Sequence, residues 1–187
     1  AVILASQSPR RIELMREAGF DARVIPANID ETALPNESPF DLVERLARAK
    51  AAAVAKEHAE EGEPVVAADT IVALAGELLG KPADEADARR MLHALSGKTH
   101  QVATGVCIVR DGSAESFVDI TDVTFYELSH DKIDAYVATG EPMDKAGAYG
   151  IQGHGALLIK GIEGDYYSVM GLPVAPLYTI LRDIHAV

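Results

Sequence analysis

Short continuous apolar runs and amphipathic stripes alternate along this chain. Val2 to Ala5 is an unbroken apolar run, as a buried strand requires, and Ser8, Pro9 and Gly19 then read as the cap, first residue and stop of a helix. Ala22 to Ile25 predicts a second strand, and Pro26 to Ser38 a turn-rich acidic loop carrying Asp30 and Glu31. Ser38-Pro39 repeats the cap-plus-proline signature and opens a helix reaching about Glu61-Gly62, with Val43, Leu46, Ala47, Lys50 and Val54 on its inward stripe. Val65 to Ala68 predicts a buried parallel strand ending on Asp69-Thr70, followed by a hairpin from Ile71 to Leu79 that turns at Ala75-Gly76. Asp84 caps a helix facing inward through Ala88, Met91, Leu92 and Leu95, and Gly97 ends it. Two long strands, Gln101 to Arg110 and Ser116 to Leu128, join at Asp111-Gly112. A helix capped by Ser129, a strand from Ala156 to Ile162, and a terminal helix through Leu177, Ile180, Leu181 and Ile184 complete the pattern. Strands alternating with helices but broken by two hairpins predict an α/β fold with a mixed sheet. At 187 residues the chain reads as a single domain, able to bury a core without disulfide or metal staples.

Charge changes this picture at three places. Arg10 and Arg11 stand in the first turn of the first helix, where the macrodipole disfavours each by about 0.3–1 kcal/mol unless an anion is near. With helix-start amides and the hydroxyls of Ser6 and Ser8, they form a ready site for a polyphosphate. Arg11 also precedes Leu14, Met15 and Ala18 on the apolar stripe, so it points inward. Lys50 interrupts the inward stripe of the second helix; it either runs past small alanines to the surface or aims into an anion pocket. Asp69 closes an apolar run at the strand end, where it either caps the following turn or stands at the edge at which open α/β sheets place their ligands.

The formal net charge of −12 disfavours a nucleic-acid polymer as partner but leaves room for a small anion accompanied by a cation. No stretch suits a membrane span or a secretory signal, so no membrane partner is expected and the cytoplasm is the expected compartment. The lone Cys107 sits in a strand-like run and reads as a buried thiol, His100 as structural, His154 as a solvated loop residue, and Asp119 and Asp122 as solvated-face residues. Between Lys145 and Gly164 the chain becomes glycine-rich, without a dinucleotide fingerprint or P-loop. It reads as a loop whose backbone approaches a ligand closely.

Six ordered segments carry a resemblance over essentially the whole chain. They are Leu4 to Arg11, Ala68 to Val72, Gly80 to Pro82, Leu95 to His100, Asp144 to Gly153, and Ile162-Glu163-Gly164 through Gly171-Leu172-Pro173. The chain resembles the Maf family of nucleoside triphosphate pyrophosphatases, once described as septum-formation inhibitors. The resemblance implies an elongated mixed sheet flanked by helices, with two lobes around a cleft, similar to inosine triphosphate pyrophosphatases. It also implies hydrolysis of a nucleoside triphosphate to monophosphate and pyrophosphate with a divalent cation, Mg or Mn; a homodimer is a candidate assembly that the sequence leaves open. Matching motifs assign Ser8, Arg10 and Arg11 to the triphosphate, with Lys50 and Lys81 completing its neutralisation. Asp69 matches the proton acceptor, and Glu31, with Asp69, the acidic pair on the metal side. Thr70 and Gln152, together with Arg10, match the branch acting on dTTP and UTP. A carboxamide such as Gln152 can pair with part of the acceptor, donor, acceptor edge of uracil or thymine, or it can bond its own loop. The alternative function is a nucleotide-binding regulator of septum formation that uses the same pocket without turnover.

Overall fold

A computed structural model describes residues 1–187. Its sheet has seven strands: β1 (Val2–Leu4), β2 (Ala22–Val24), β3 (Val65–Leu74), β4 (Glu77–Leu79), β5 (Thr99–Arg110), β6 (Ser113–Phe125) and β7 (Ile159–Glu163). The helices are α1 (Pro9–Glu17), α2 (Pro39–His58), α3 (Glu85–Leu95), α4 (His130–Ala138), α5 (Tyr166–Met170) and α6 (Val174–Asp183). The strand order is β2-β1-β3-β5-β6-β7, with β1 parallel to both β2 and β3 and all later pairings antiparallel. The mixed sheet is thus as expected. Ala75 and Gly76, and again Asp111 and Gly112, take positive φ in the two hairpin turns, the geometry that matches strand twist.

Side-chain alternation sorts the core into layers. Val65, Ala67, Ile71 and Ala73 of β3 face α2 through Ala47, Ala51, Val54, Leu42, Val43 and Leu46. Val66 and Ala68 face α1 and α6 through Leu14, Met15, Leu177 and Leu181, whereas Val72 faces α3 and α4 through Leu92, Leu95 and Ile133. The helices on that second face therefore form two groups. The cleft opens between them.

The decisive feature of the topology is a gap. One edge of β3 pairs continuously with β5 from Val65 to Ala73. Its other edge pairs with β1 only at Val65 and Val66, and with β4 only from Val72 to Leu74. Pro64 and Val66 turn their carbonyls to β1, so by alternation the backbone groups of Ala68 and Thr70 point into the unpaired interval.

Several boundaries depart from expectation. β3 does not end at Asp69-Thr70 but runs on to Leu74, because the continuous ladder with β5 outweighs two polar side chains in mid-strand. Asp69 and Thr70 therefore lie in mid-strand, beyond the carboxyl end of the neighbouring β1 rather than at the end of their own strand. Ala156 to Leu158 belongs to a 3₁₀ segment, Gly153–Leu158, rather than to a strand, and α2 stops at His58. β6 spans Ser113–Phe125, α6 starts at Val174 with Pro176 in its first turn, and α5, capped by Asp165, was not foreseen.

Candidate active site

The gap in the sheet edge is the floor of a cleft of about 880 Å³, a size that suits a nucleotide-sized ligand. Ser8, Arg10, Arg11, Glu31, Lys50, Asp69, Thr70, Lys81 and Gln152 all line it, so the structure brings together every residue that the family resemblance assigned to the site, whereas Asp30 and His154 lie outside the lining. Because successive β3 residues point to opposite faces, Asp69 meets groups from the α2 side and Thr70 meets groups from the α1 side.

On the α2 side, Lys50 Nζ lies 2.9 Å from Asp69 Oδ1 and 2.7 Å from Glu31 Oε1. Lys50 is therefore aimed into the cleft. The side chains of Lys50 and Asp69 are 12% and 16% exposed, so this pair is shielded enough for its charges to matter, whereas Glu31 reaches in from an exposed loop at 58%. Gly105, opposite Asp69 in the ladder, makes the approach possible: a Cβ there would collide with the Val43 carbonyl of α2. Glu37 bonds Arg45 Nε at 2.6 Å, and Arg45 Nη2 reaches the Thr32 carbonyl at 3.1 Å, tying the loop that carries Glu31 to α2.

On the α1 side, Arg11 is pinned. Its Nε donates to the Gly171 carbonyl at 2.7 Å and its Nη2 to Thr70 Oγ1 at 3.0 Å, leaving the other donors of its five-hydrogen fork for a ligand. Thr104 Oγ1 donates to the Ser168 carbonyl at 2.8 Å, so its only hydrogen is committed. The 2.8 Å contact between Thr70 and Thr104 must then be donated by Thr70, which, with one lone pair already accepting from Arg11, offers the cleft only its second. Burial lowers the Arg11 guanidinium from its usual value while Asp69 opposes the shift, and the group remains charged. Ser8 caps α1, accepting from the Arg11 amide at 3.4 Å, and keeps its hydroxyl hydrogen free.

Arg10, Lys81 and Gln152 differ from Arg11 in having no side-chain hydrogen bond or ion pair within the protein, so Gln152 does not spend its amide on its own loop. Lys145 also lines the cleft but is committed, with Nζ 2.8 Å from both the Glu141 carbonyl and Asp144 Oδ1. Sequence reasoning missed Thr104, Gly105, Glu141 and Tyr136. The Thr104-Gly105 pair inside the otherwise apolar run from Val102 to Val109 was the available signal for the first two. Glu141 accepts from Tyr136 Oη, Gly155 N–H and His154 N–H at 2.9, 3.0 and 3.1 Å. Burial pulls its carboxyl upward, but these bonds together outweigh it and hold Glu141 below the usual carboxylate range.

The remaining candidates are structural. Burial pushes the Cys107 thiol up to about 11, far from a reactive thiolate. His100 is fully buried, 2.6 Å from Tyr149 Oη, and burial lowers it to about 4.

Glu31 and Asp69 turn carboxylate oxygens toward one point, at which the Lys50 ammonium sits. Hard oxygen donors suit a cation such as Mg or Mn, but no third His, Cys, Asp or Glu joins them, so this chain would provide only part of a coordination shell. No helix is long and apolar enough to cross a membrane.

Fold and site together define an α/β protein with a cationic cleft, built at a break in its sheet edge, fitted to a polyphosphate anion. Residues 1–184 match the family model described as Maf-like protein, and the chain belongs to the Maf family. It is similar to a Bacillus cereus protein named dTTP/UTP pyrophosphatase, with 48% identity over 184 residues covering 98% of this chain and 95% of that one. A Bacillus cytotoxicus protein of the same name is 50% identical over 181 residues, covering 97% of this chain and 94% of that one. The solved structure of the Staphylococcus aureus Ham1 protein aligns with 66% of this chain and 71% of its own, at 19% identity and a TM-score of 0.49.

Proposed function

We propose that the chain is a nucleoside triphosphate pyrophosphatase that hydrolyses dTTP and UTP to the monophosphate and pyrophosphate. The observation that carries this reading is the meeting, in one gap of β3, of a pinned arginine, a carboxylate-paired lysine and two unpaired cations. Arg11, Arg10, Ser8 and Lys81 would bind the triphosphate, and Lys50 would move from Glu31 and Asp69 onto it. The freed Asp69 would accept a proton from water attacking the α-phosphorus. The new P–O bond forms there as the bond to the bridging oxygen breaks, and pyrophosphate leaves with its charge held by the arginines and lysines. Where Glu31 and Asp69 instead hold a divalent cation, which when bound supplies neutralisation of phosphate charge, Asp69 would orient the water rather than take its proton. Gln152, with both amide groups free, would pair with the edge of uracil or thymine. The printed names of the relatives support the same substrates.

Chromatography of the products of dTTP hydrolysis in ¹⁸O-labelled water tests the reaction. Label in dTMP with unlabelled pyrophosphate is expected, and dTDP with orthophosphate would overturn it. Absence of turnover with tight dTTP binding would favour the regulator instead. The expected compartment is the cytoplasm and the expected assembly a homodimer, which size-exclusion chromatography with light scattering checks.

A further inference from the structure

Glu141 bonds no group assigned to the triphosphate, yet it is among the most heavily hydrogen-bonded carboxylates in the molecule. One of its oxygens accepts from Tyr136 Oη and the Gly155 amide at 2.9 and 3.0 Å, and the other accepts from the His154 amide at 3.1 Å. Tyr136 Oη in turn accepts from the Gly150 amide at 3.1 Å. Two side chains therefore hold both ends of the segment from Gly150 to Gly155, and Gln152 stands between the two anchor points. The segment has no slack. A Cβ on Gly153 would come within 2.8 Å of Glu141 Oε2, and one on Gly155 would overlap the Gly150 carbonyl.

We infer that Glu141 is a specificity-positioning residue, which with Tyr136 presents the free amide of Gln152 to the base in one orientation. This rests on the reading of Gln152 as the base contact. The chemistry requires a carboxylate: three donors converge on two acceptor-only oxygens, and a glutamine would set an NH₂ against at least one N–H. Losing the anchor frees the loop, and Gln152 then pairs as readily with a cytosine edge as with a uracil edge.

The test compares kcat/KM for dTTP, UTP and CTP in the full chain, with inhibition by inorganic tripolyphosphate, which has no base, measured alongside. Glu141→Gln is expected to lower the dTTP-to-CTP ratio by about fivefold or more, through KM, with tripolyphosphate inhibition unchanged within about twofold. Tyr136→Phe, which keeps the carboxylate but removes both hydroxyl bonds, should lower the ratio in the same direction and carries the test should Glu141→Gln fail to fold. Gln152→Ala separates the two ideas. Should it keep the parent ratio, the base contact itself is wrong and the inference falls with it. Should it lose the ratio while Glu141→Gln or a folded Tyr136→Phe keeps it, the base contact stands and the positioning role is overturned. A parallel fall in dTTP, CTP and tripolyphosphate affinity would also overturn it, since that is what a purely structural carboxylate would give.

Discussion

The two ends of the cleft are built on opposite plans. At the α1 end the side chain proposed to meet the triphosphate is itself fixed, because Arg11 is held by Gly171 and Thr70. At the glycine-loop end the backbone is fixed through Glu141 and Tyr136, while Gln152, the side chain proposed to meet the base, is left unpaired. The difference follows from what each end would meet. Triphosphate charge is common to every nucleotide and grows on the leaving group during attack, so donors already in place need not reorganise. A base differs between substrates, and rejecting the wrong one depends on leaving its groups unpaired, for which a free amide on a rigid mount suffices.

The largest expected effect lies between these ends. Asp69→Asn preserves shape but removes the carboxylate that would take the proton, and should reduce kcat by about 10²–10⁴ for every base. Turnover near the parent rate, combined with loss of activity in Glu31→Ala, would move the base function to Glu31. Next in size is an acid sensitivity that arises from a histidine buried beside the glycine-loop end. His100 binds Tyr149, which directly precedes the Gly150 anchor, and the folded state holds its imidazole at about 4 rather than the ordinary 6.5. The unfolded chain takes up a proton below about 6.5 and the native state only near 4, so stability is lost as pH falls through that interval. The loss approaches about 3 kcal/mol at its lower end. Thermal unfolding between pH 7 and 4 should show it, and a flat profile in this window would refute the buried neutral histidine.

The pinned end is tested directly by Arg11→Ala. Loss of charge-assisted bonding to the triphosphate should cost about 1.5–3 kcal/mol in transition-state stabilisation, ten- to a hundredfold in kcat/KM, alike for dTTP, UTP and CTP. A selective loss on one base would place Arg11 at the wrong end of the cleft.

Much of this arrangement was legible because local signals and chemistry coincided. Ser8-Pro9 marks the start of α1 so firmly that two arginines in its first turn stand out, and Lys50 is conspicuous because it breaks an apolar stripe. The fixing groups were not legible, for a physical reason. Arg11 is held by a backbone carbonyl at Gly171, 160 positions along the chain, and by a hydroxyl chain whose direction depends on Thr104 lying opposite Thr70 in the ladder. Gly105 shows the same limit: its value comes from a helix packed on it from more than fifty residues away in the chain. Glu141 gathers donors only after a glycine loop folds back over it, and no spacing rule reports that closure. Groups that line the cleft were visible as exceptions to pattern, whereas groups that hold them conform to it.

The smallest expected effect draws the sharpest line between the two ends. Thr70 was assigned from family resemblance to base selection, yet its hydroxyl accepts from Arg11 and its only hydrogen goes to Thr104, which passes its own to the Ser168 carbonyl. The direction of this chain makes Thr70 a support for the arginine. Thr70→Val keeps the shape of the strand and removes one of two anchors, so Arg11 should remain on Gly171 and lose part of its fixed orientation. The expected cost is that of one hydrogen bond, about 0.5–1.5 kcal/mol, or roughly two- to tenfold in kcat/KM, equal for dTTP, UTP and CTP. Tripolyphosphate inhibition should weaken by the same factor, because a ligand without a base still needs Arg11. If instead Thr70→Val leaves tripolyphosphate inhibition intact and erases the preference for dTTP over CTP, Thr70 reads the base directly. Its acceptor-only face toward the cleft would then meet the ring N–H that uracil and thymine have and cytosine lacks, and the boundary between the two ends would shift to include β3.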